Sequence, residues 1–325
     1  MRTISNSLPR TVLVLAVYCL FMCDAVAGSF KFIAFGDMPY SQPSDFPRLE
    51  RLIDTINADK PAFSIFLGDT KSGESPCTNE HVQRMTEYFN SFKTPLIYSI
   101  GDNEWTDCHR AMAGAYNPLE RLSYIRENQF SNNQSFGKSK LTLVRQADVM
   151  PKFSKYVENA LWVKGKFLFV SLHIPGSNNN LGRNQESDEE YILRNEANLA
   201  WIKNAFELSA EKGYAAIVFA FQADIFYSPE FATDSNSGYR DTITQFRVLS
   251  EKVSTPILLV HGDSHRLKID QPLYGSNKKI IETVYRLEVM GADEMQAVEI
   301  EVDDHVSSPF RFRPLLIPEN ILKLN

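Results

Sequence analysis

Three apolar runs in the first third of the chain each end in Gly-Asp. Phe30–Phe35 precedes Gly36-Asp37, Ala62–Leu67 precedes Gly68-Asp69, and Pro95–Ile100 precedes Gly101-Asp102. Short continuous apolar runs are the pattern of strands buried on both faces of a sheet. Between them, Phe46–Ala58 carries Leu49, Leu52, Ile53 and Ile56 at helical spacing, and His81–Phe92 reads as a second helix. Alternating strands and helices predict an α/β fold. Glycine permits a sharp turn and close backbone approach to a ligand, and open α/β sheets bind ligands at the carboxyl ends of their strands. Three carboxylates gathered there repel one another, and a bound cation is the usual resolution.

The second half continues the pattern. Lys166–Leu172 ends at His173, a helix is expected over Glu189–Lys212, and Ala215–Phe221 ends at Gln222-Ala-Asp224. A further helix over Thr242–Lys252 precedes Pro256–Val260, which ends at His261-Gly-Asp263-Ser-His265, and 279–288 and 297–303 read as late strands. Gly114–Pro151 reads as an irregular polar insertion over the strand ends. No repeat, linker or long charge run divides residues 28–325, which predicts a single domain there.

The chain has 325 residues, is 43% hydrophobic, and has a net charge of −6, which argues against a broad basic nucleic-acid surface. Arg2 and Arg10, the apolar run Thr11–Met22 and the small-x-small sequence Ala25-Val26-Ala27 predict a signal peptide over residues 1–27. The alternative is an uncleaved N-terminal anchor, although a membrane span needs about 20 apolar residues. No later segment is long enough to cross a bilayer, so an exported protein is expected. Cleavage removes Cys19 and Cys23 and leaves Cys77 and Cys108. In an oxidising compartment these predict one disulfide, worth roughly 3 kcal/mol for its loop of about 30 residues; the alternative is two buried thiols. Asn133-Gln134-Ser135 fits a glycosylation acceptor.

The order Gly36-Asp37, Gly68-Asp69, Gly101-Asp-Asn-Glu104 and Gly262-Asp-Ser-His265 resembles the calcineurin-like metallophosphoesterases, which include the purple acid phosphatases. The resemblance runs from Phe30 to about Leu273 and implies two packed mixed β-sheets flanked by helices, with two metals at one edge. The sequence pattern by itself suggests one sheet. By resemblance, Asp37 matches the first-motif ligand, Asp69 the carboxylate bridging two metals, and His265 the second histidine of the last motif. Pro39 stands where many members have histidine. Asp102 stands where the family has a ligand asparagine, and Asn103 where it has the histidine that contacts substrate. Gln222 replaces the lone histidine and Asp263 the first histidine of the last motif.

The metal set implied is therefore Asp37, Asp69, Asp102, Gln222, Asp263 and His265, holding one metal or two. Its oxygen-rich character favours Mn²⁺, Mg²⁺ or Ca²⁺, with Zn²⁺ or Fe as alternatives. Two metals bridged by Asp69 would lie about 3.5–4 Å apart, with metal-activated water attacking phosphorus. Asn103 can donate to the phosphoryl group but is no acid at neutral pH. His109 and His173 are the candidates for proton transfer, each with an ordinary structural alternative. His261 is expected to be packed and hydrogen-bonded. Glu104 either orients a ligand or pairs with Arg110. Trp105 either floors a pocket or packs, and Asp224 is either a ligand or a cap. Arg110 and Arg121 are either phosphate forks or partners in surface ion pairs.

Two classes of function follow. One is a secreted, metal-dependent phosphoesterase acting on a small phosphorylated substrate. The other is a catalytically silent binding protein on the same fold. A metal-dependent hydrolase of a non-phosphate ester is a third possibility. The identity of the substrate and the oligomeric state are not written in the sequence.

Overall fold

The computed structural model describes residues 29–306 and 308–321. The expected leader, with Arg2, Arg10, Cys19 and Cys23, lies outside the described residues. Two mixed sheets form the centre. Strands β1 (Phe30–Phe35), β2 (Ser64–Phe66) and β3 (Leu96–Tyr98) run parallel. Two late strands, β11 (Ala297–Val302) and β12 (Phe310–Leu315), extend that sheet antiparallel, in the order β12-β11-β1-β2-β3.

The second sheet has seven strands. Its parallel centre is β6 (Phe167–Ser171), β7 (Ala216–Ala220), β8 (Ile257–His261) and β10 (Val284–Glu288). Antiparallel strands β4 (Val144–Arg145), β5 (Ala160–Lys164) and β9 (Lys268–Asp270) complete its edges. The two-sheet expectation holds, and the one-sheet pattern is corrected. Runs buried on both faces do not say whether a helix or another sheet covers each face.

Side-chain alternation assigns the layers. Val218 and Ala220 of β7 face Phe32, Ile65 and Val298 of the other sheet. Ile217 and Phe219 face outward onto α4 (Gln185–Lys212) and α5 (Arg240–Ser250), against Trp201, Phe206 and Phe246. On the opposite side α1 (Phe46–Asp59), α2 (Asn79–Ser91) and α3 (Pro118–Gln129) cover Phe35, Phe66 and Tyr98. Burying both faces of both sheets gives four layers, helix–sheet–sheet–helix. Helix α3 corrects the reading of 114–151 as irregular. Asn117 caps it through Leu119 N and Glu120 N, Pro118 opens it, and Leu122 and Ile125 are buried.

Cys77 and Cys108 form the expected disulfide, with Cα atoms 5.8 Å apart. No helix among the described residues is long and apolar enough to cross a membrane.

Candidate metal centre

The ends of β1, β2 and β3 meet those of β7 and β8 at one edge, so Asp37, Asp69 and Asp102 come from one sheet and Gln222, Asp263 and His265 from the other. The turns are tight. Asp37, Asp69, Asp263 and His265 all have left-handed φ values, of 55°, 57°, 78° and 61°. Non-glycine residues hold such angles only where surrounding structure enforces them, commonly at functional sites. The enforcing bonds are visible. Asp37 N donates to Gly68 O at 2.8 Å, and Asp263 N donates to both Asp37 oxygens at 3.1 and 3.2 Å.

Asp69, Asp102 and Asp263 each bring an oxygen within 4.8 Å of the others. Asp102 Oδ1 is buried without a hydrogen-bond partner, which is costly unless something else satisfies it. Its other oxygen accepts from Ser177 Oγ at 2.8 Å. A Cβ on Gly176 would lie 2.5 Å from Asp102 Oδ1 and 2.9 Å from Asp263 Oδ1, so glycine keeps this space open. Three converging carboxylates, an orphaned oxygen and a glycine beside it fit one hard divalent cation.

Asp69 and His265 meet at something else: the Tyr40 hydroxyl. It donates to Asp69 Oδ2 at 2.9 Å and lies 3.1 Å from His265 Nε2. His265 Nε2 is in turn 3.7 Å from Asp37 Oδ1. Asn103 Nδ2 donates to both Asp69 Oδ2, at 2.7 Å, and Tyr40 Oη, at 3.0 Å. The amide at the position where the resemblance implies a substrate-contacting histidine is thus turned onto Asp69.

The electrostatics follow from crowding. Burial, then neighbouring carboxylates, holds Asp37, Asp69 and Asp102 well above the usual carboxylate range. Burial pushes Asp263 up to about 6, and the Asp224 N–H that donates to it limits the rise. Burial also lowers the ammonium of Lys71, against the pull of Glu104 and Asp69.

Other expected site residues fall elsewhere. Gln222 Oε1 accepts from Gly176 N at 2.6 Å. That hydrogen bond uses one of the two lone pairs of the oxygen and leaves the other for a cation. His173 is fully buried against Trp105, with Nδ1 on Glu158 Oε1 at 2.8 Å, and burial lowers it to about 4. Out of contact with solvent, it is a packed histidine and not a proton donor to substrate. His109 is exposed and turned to Thr106 O at 2.7 Å, and no hydrogen bond joins it to the carboxylates among the described residues.

The open alternatives resolve as follows. Glu104 orients the turn carrying Asp69, accepting from Asp69 N and Thr70 N. Trp105 packs beneath Arg194. His261 is buried, with Nδ1 on Gly262 O. Asp224 accepts from Ser264 Oγ and Phe226 N, fixing the loop around Asp263, and also brings an oxygen within 4.8 Å of His261 and Glu288, a group able to hold a metal, so both of its readings stand. Arg121 is tied to Glu120, Cys77 O and Asn79. Arg110 pairs with Asp107, and a Cβ on Gly73 would lie 2.5 Å from its Nη1 and 2.8 Å from Asn103 Oδ1. Tyr40, Ser177 and Gly176 were not singled out from sequence. The only signal for Tyr40 was an aromatic hydroxyl three residues after Asp37.

No family model matches the sequence, and no curated protein matches it. Among solved structures, a dimetal phosphatase from Danio rerio superposes with a TM-score of 0.54 at 10% identity, over 88% of this chain and 98% of that one. The chain has the metallophosphoesterase fold. Lower-scoring likenesses are to GAP50, the anchor in the inner membrane complex of Plasmodium, and to a purple acid phosphatase from yellow lupin seeds. GAP50 has a TM-score of 0.47 at 10% identity, over 91% of this chain and 90% of that one. The lupin enzyme has a TM-score of 0.46 at 11% identity, over 92% of this chain and 56% of that one. On this metallophosphoesterase fold, the carboxylate triad occupies the edge where the strand ends meet.

Proposed function

We propose that the protein is an exported phosphoesterase working with one divalent cation held by Asp69, Asp102 and Asp263. The observation that carries this reading is the convergence of those three carboxylates within 4.8 Å. When bound, the cation supplies Lewis-acid polarisation of a phosphoryl oxygen and lowers the pKa of water. An all-oxygen donor set favours Mn²⁺, Mg²⁺ or Ca²⁺.

The chain's own groups do the rest. Ser177 and Glu104 hold Asp102 and the Asp69 turn in place. Arg110, whose Nη1 and the Asn103 Oδ1 both border Gly73, would take a phosphoryl oxygen and offset the acidic surroundings. Proton transfer falls to Tyr40 Oη and His265 Nε2, which lie 3.1 Å apart at Asp69. The disulfide supports an oxidising compartment and hence export.

The test is elemental analysis of the purified protein with hydrolysis of an aryl phosphate, with and without Mn²⁺. One metal per chain and turnover that falls more than about 100-fold in Asp69→Ala are expected, since ligand loss exceeds the 10–100-fold typical of supporting groups. No metal and no turnover across a metal panel would sink the proposal.

One observation favours a second reading. The Tyr40 hydroxyl and the Asn103 amide are both spent on Asp69. Stoichiometric metal without turnover of any ester would select a silent, ligand-binding role.

A further inference from the structure

We infer that the alcohol part of the ester is cationic, an ammonium or quaternary ammonium alcohol seated in the cleft beyond Asp263. This rests on the phosphoesterase reading. The cleft has a volume of about 560 Å³ and shares Asp263 and Asp224 with the surroundings of the metal centre. Its outer wall carries Tyr227, Phe231 and Asp234, and no Lys, Arg or His lines it. The Tyr227 ring is 74% exposed, and Phe231 leans on the buried ring of Tyr239 at 5.2 Å. Asp234 has no ion-pair partner among the described residues.

The floor is rigid. Ser177, Asn178, Asn179 and Asn180 all adopt left-handed φ, from 47° to 70°. Arg194 clamps this turn through Asn179 O at 3.0 Å and through Asn179 Oδ1. Asn178 Oδ1 accepts from Gly238 N at 2.8 Å. Four consecutive strained residues persist only where the surroundings over-determine them, and here they set Ser177 Oγ on Asp102 at the mouth of the cleft.

A polyphosphate or other anionic leaving group would meet Asp234 with no cationic side chain lining the cleft, since Arg286 is already paired with Asp224 behind it. A neutral alcohol would gain nothing from Asp234, whose exposed carboxylate accepts, among the described residues, only from Asn236 N. An ammonium gains from both the carboxylates and the aromatic faces. In the reaction the oxygen of water bonds to phosphorus and the phosphorus–oxygen bond to the alcohol breaks. One proton of that water ends on the alcohol oxygen, giving the amino alcohol and inorganic phosphate.

The test compares phosphocholine with 3,3-dimethylbutyl phosphate, its uncharged isostere, on the Mn²⁺-loaded full-length protein. A preference of about tenfold in kcat/KM for phosphocholine is expected, expressed in KM. Tyr227→Ala and Asp234→Asn should each bring the ratio towards one. Equal rates for the two esters would overturn the inference while leaving the phosphoesterase reading intact. If neither these esters nor an aryl phosphate turns over, that reading fails, and calorimetry with choline decides the cleft. Binding weakened by Asp234→Asn sustains the cationic site, and no choline binding at millimolar concentration overturns it.

Discussion

The Tyr40 hydroxyl donates to Asp69 Oδ2 at 2.9 Å, on the side of that carboxylate facing Asp37 and His265. One side of Asp69 is therefore closed by a protein hydroxyl. Its other oxygen accepts from Asn103 N at 3.1 Å, and the carboxylate has an oxygen within 4.8 Å of Asp102 and Asp263. A two-metal arrangement needs both sides of its bridging carboxylate, so on the proposed reading Tyr40 would limit the centre to one cation.

Tyr40→Phe removes the blocking oxygen at the cost of hydrogen bonds worth about 1 kcal/mol each. Metal content by elemental analysis is expected to rise from one to two per chain in excess Mn²⁺. A value that stays at one would show that the hydroxyl is not what limits the centre.

Gly176→Ala tests the space beside the orphaned oxygen. Its Cβ would lie 2.5 Å from Asp102 Oδ1. Overpacking of this kind costs about 1–3 kcal/mol, and Mn²⁺ affinity should fall about 10–100-fold, as for other supporting positions. Titration calorimetry and denaturant unfolding read the two effects separately. Wild-type affinity in this variant would count against the assigned centre.

Asp263 gives the centre a pH dependence. Its carboxyl is pushed up to about 6, so below that pH a proton competes with the cation. Affinity should fall about tenfold per pH unit below 6 for one displaced proton. The sign for folding is opposite. The folded value lies above the ordinary 3.8, so the metal-free folded state takes up a proton between the two values. Its stability contribution then declines as pH rises through that window. In chelator, the Tm advantage of Asp263→Asn over wild type should therefore widen from pH 4 to pH 7. A constant gap would show that this carboxyl is not strained by its surroundings.

Reducing the Cys77–Cys108 bond, which closes a separation of 31 residues, should cost about 3 kcal/mol of stability. The bond ties the loop after Asp69 to the loop after Asp102, so Mn²⁺ affinity should weaken with it. Unfolding curves with and without reductant measure the first effect, and an unchanged midpoint would contradict it.

The strand ends at Asp37, Asp69, Asp102 and Asp263 were legible in the sequence, because apolar runs and Gly-Asp turns are local signals. Helices α1, α2, α4 and α5 were legible for the same reason. The disulfide needed only two cysteines and an inferred compartment. By contrast, β12 and the short edge strands went unseen, since their residues are half-exposed and lack a continuous apolar run. Tertiary structure alone decided what each polar side chain faces. It turned Gln222 onto Gly176, buried His173 on Glu158 and placed the Tyr40 hydroxyl against Asp69. These are contacts between residues up to 46 positions apart. A residue's type and neighbours in sequence specify which hydrogen bonds it can make. Only the packing of two sheets specifies which partner arrives.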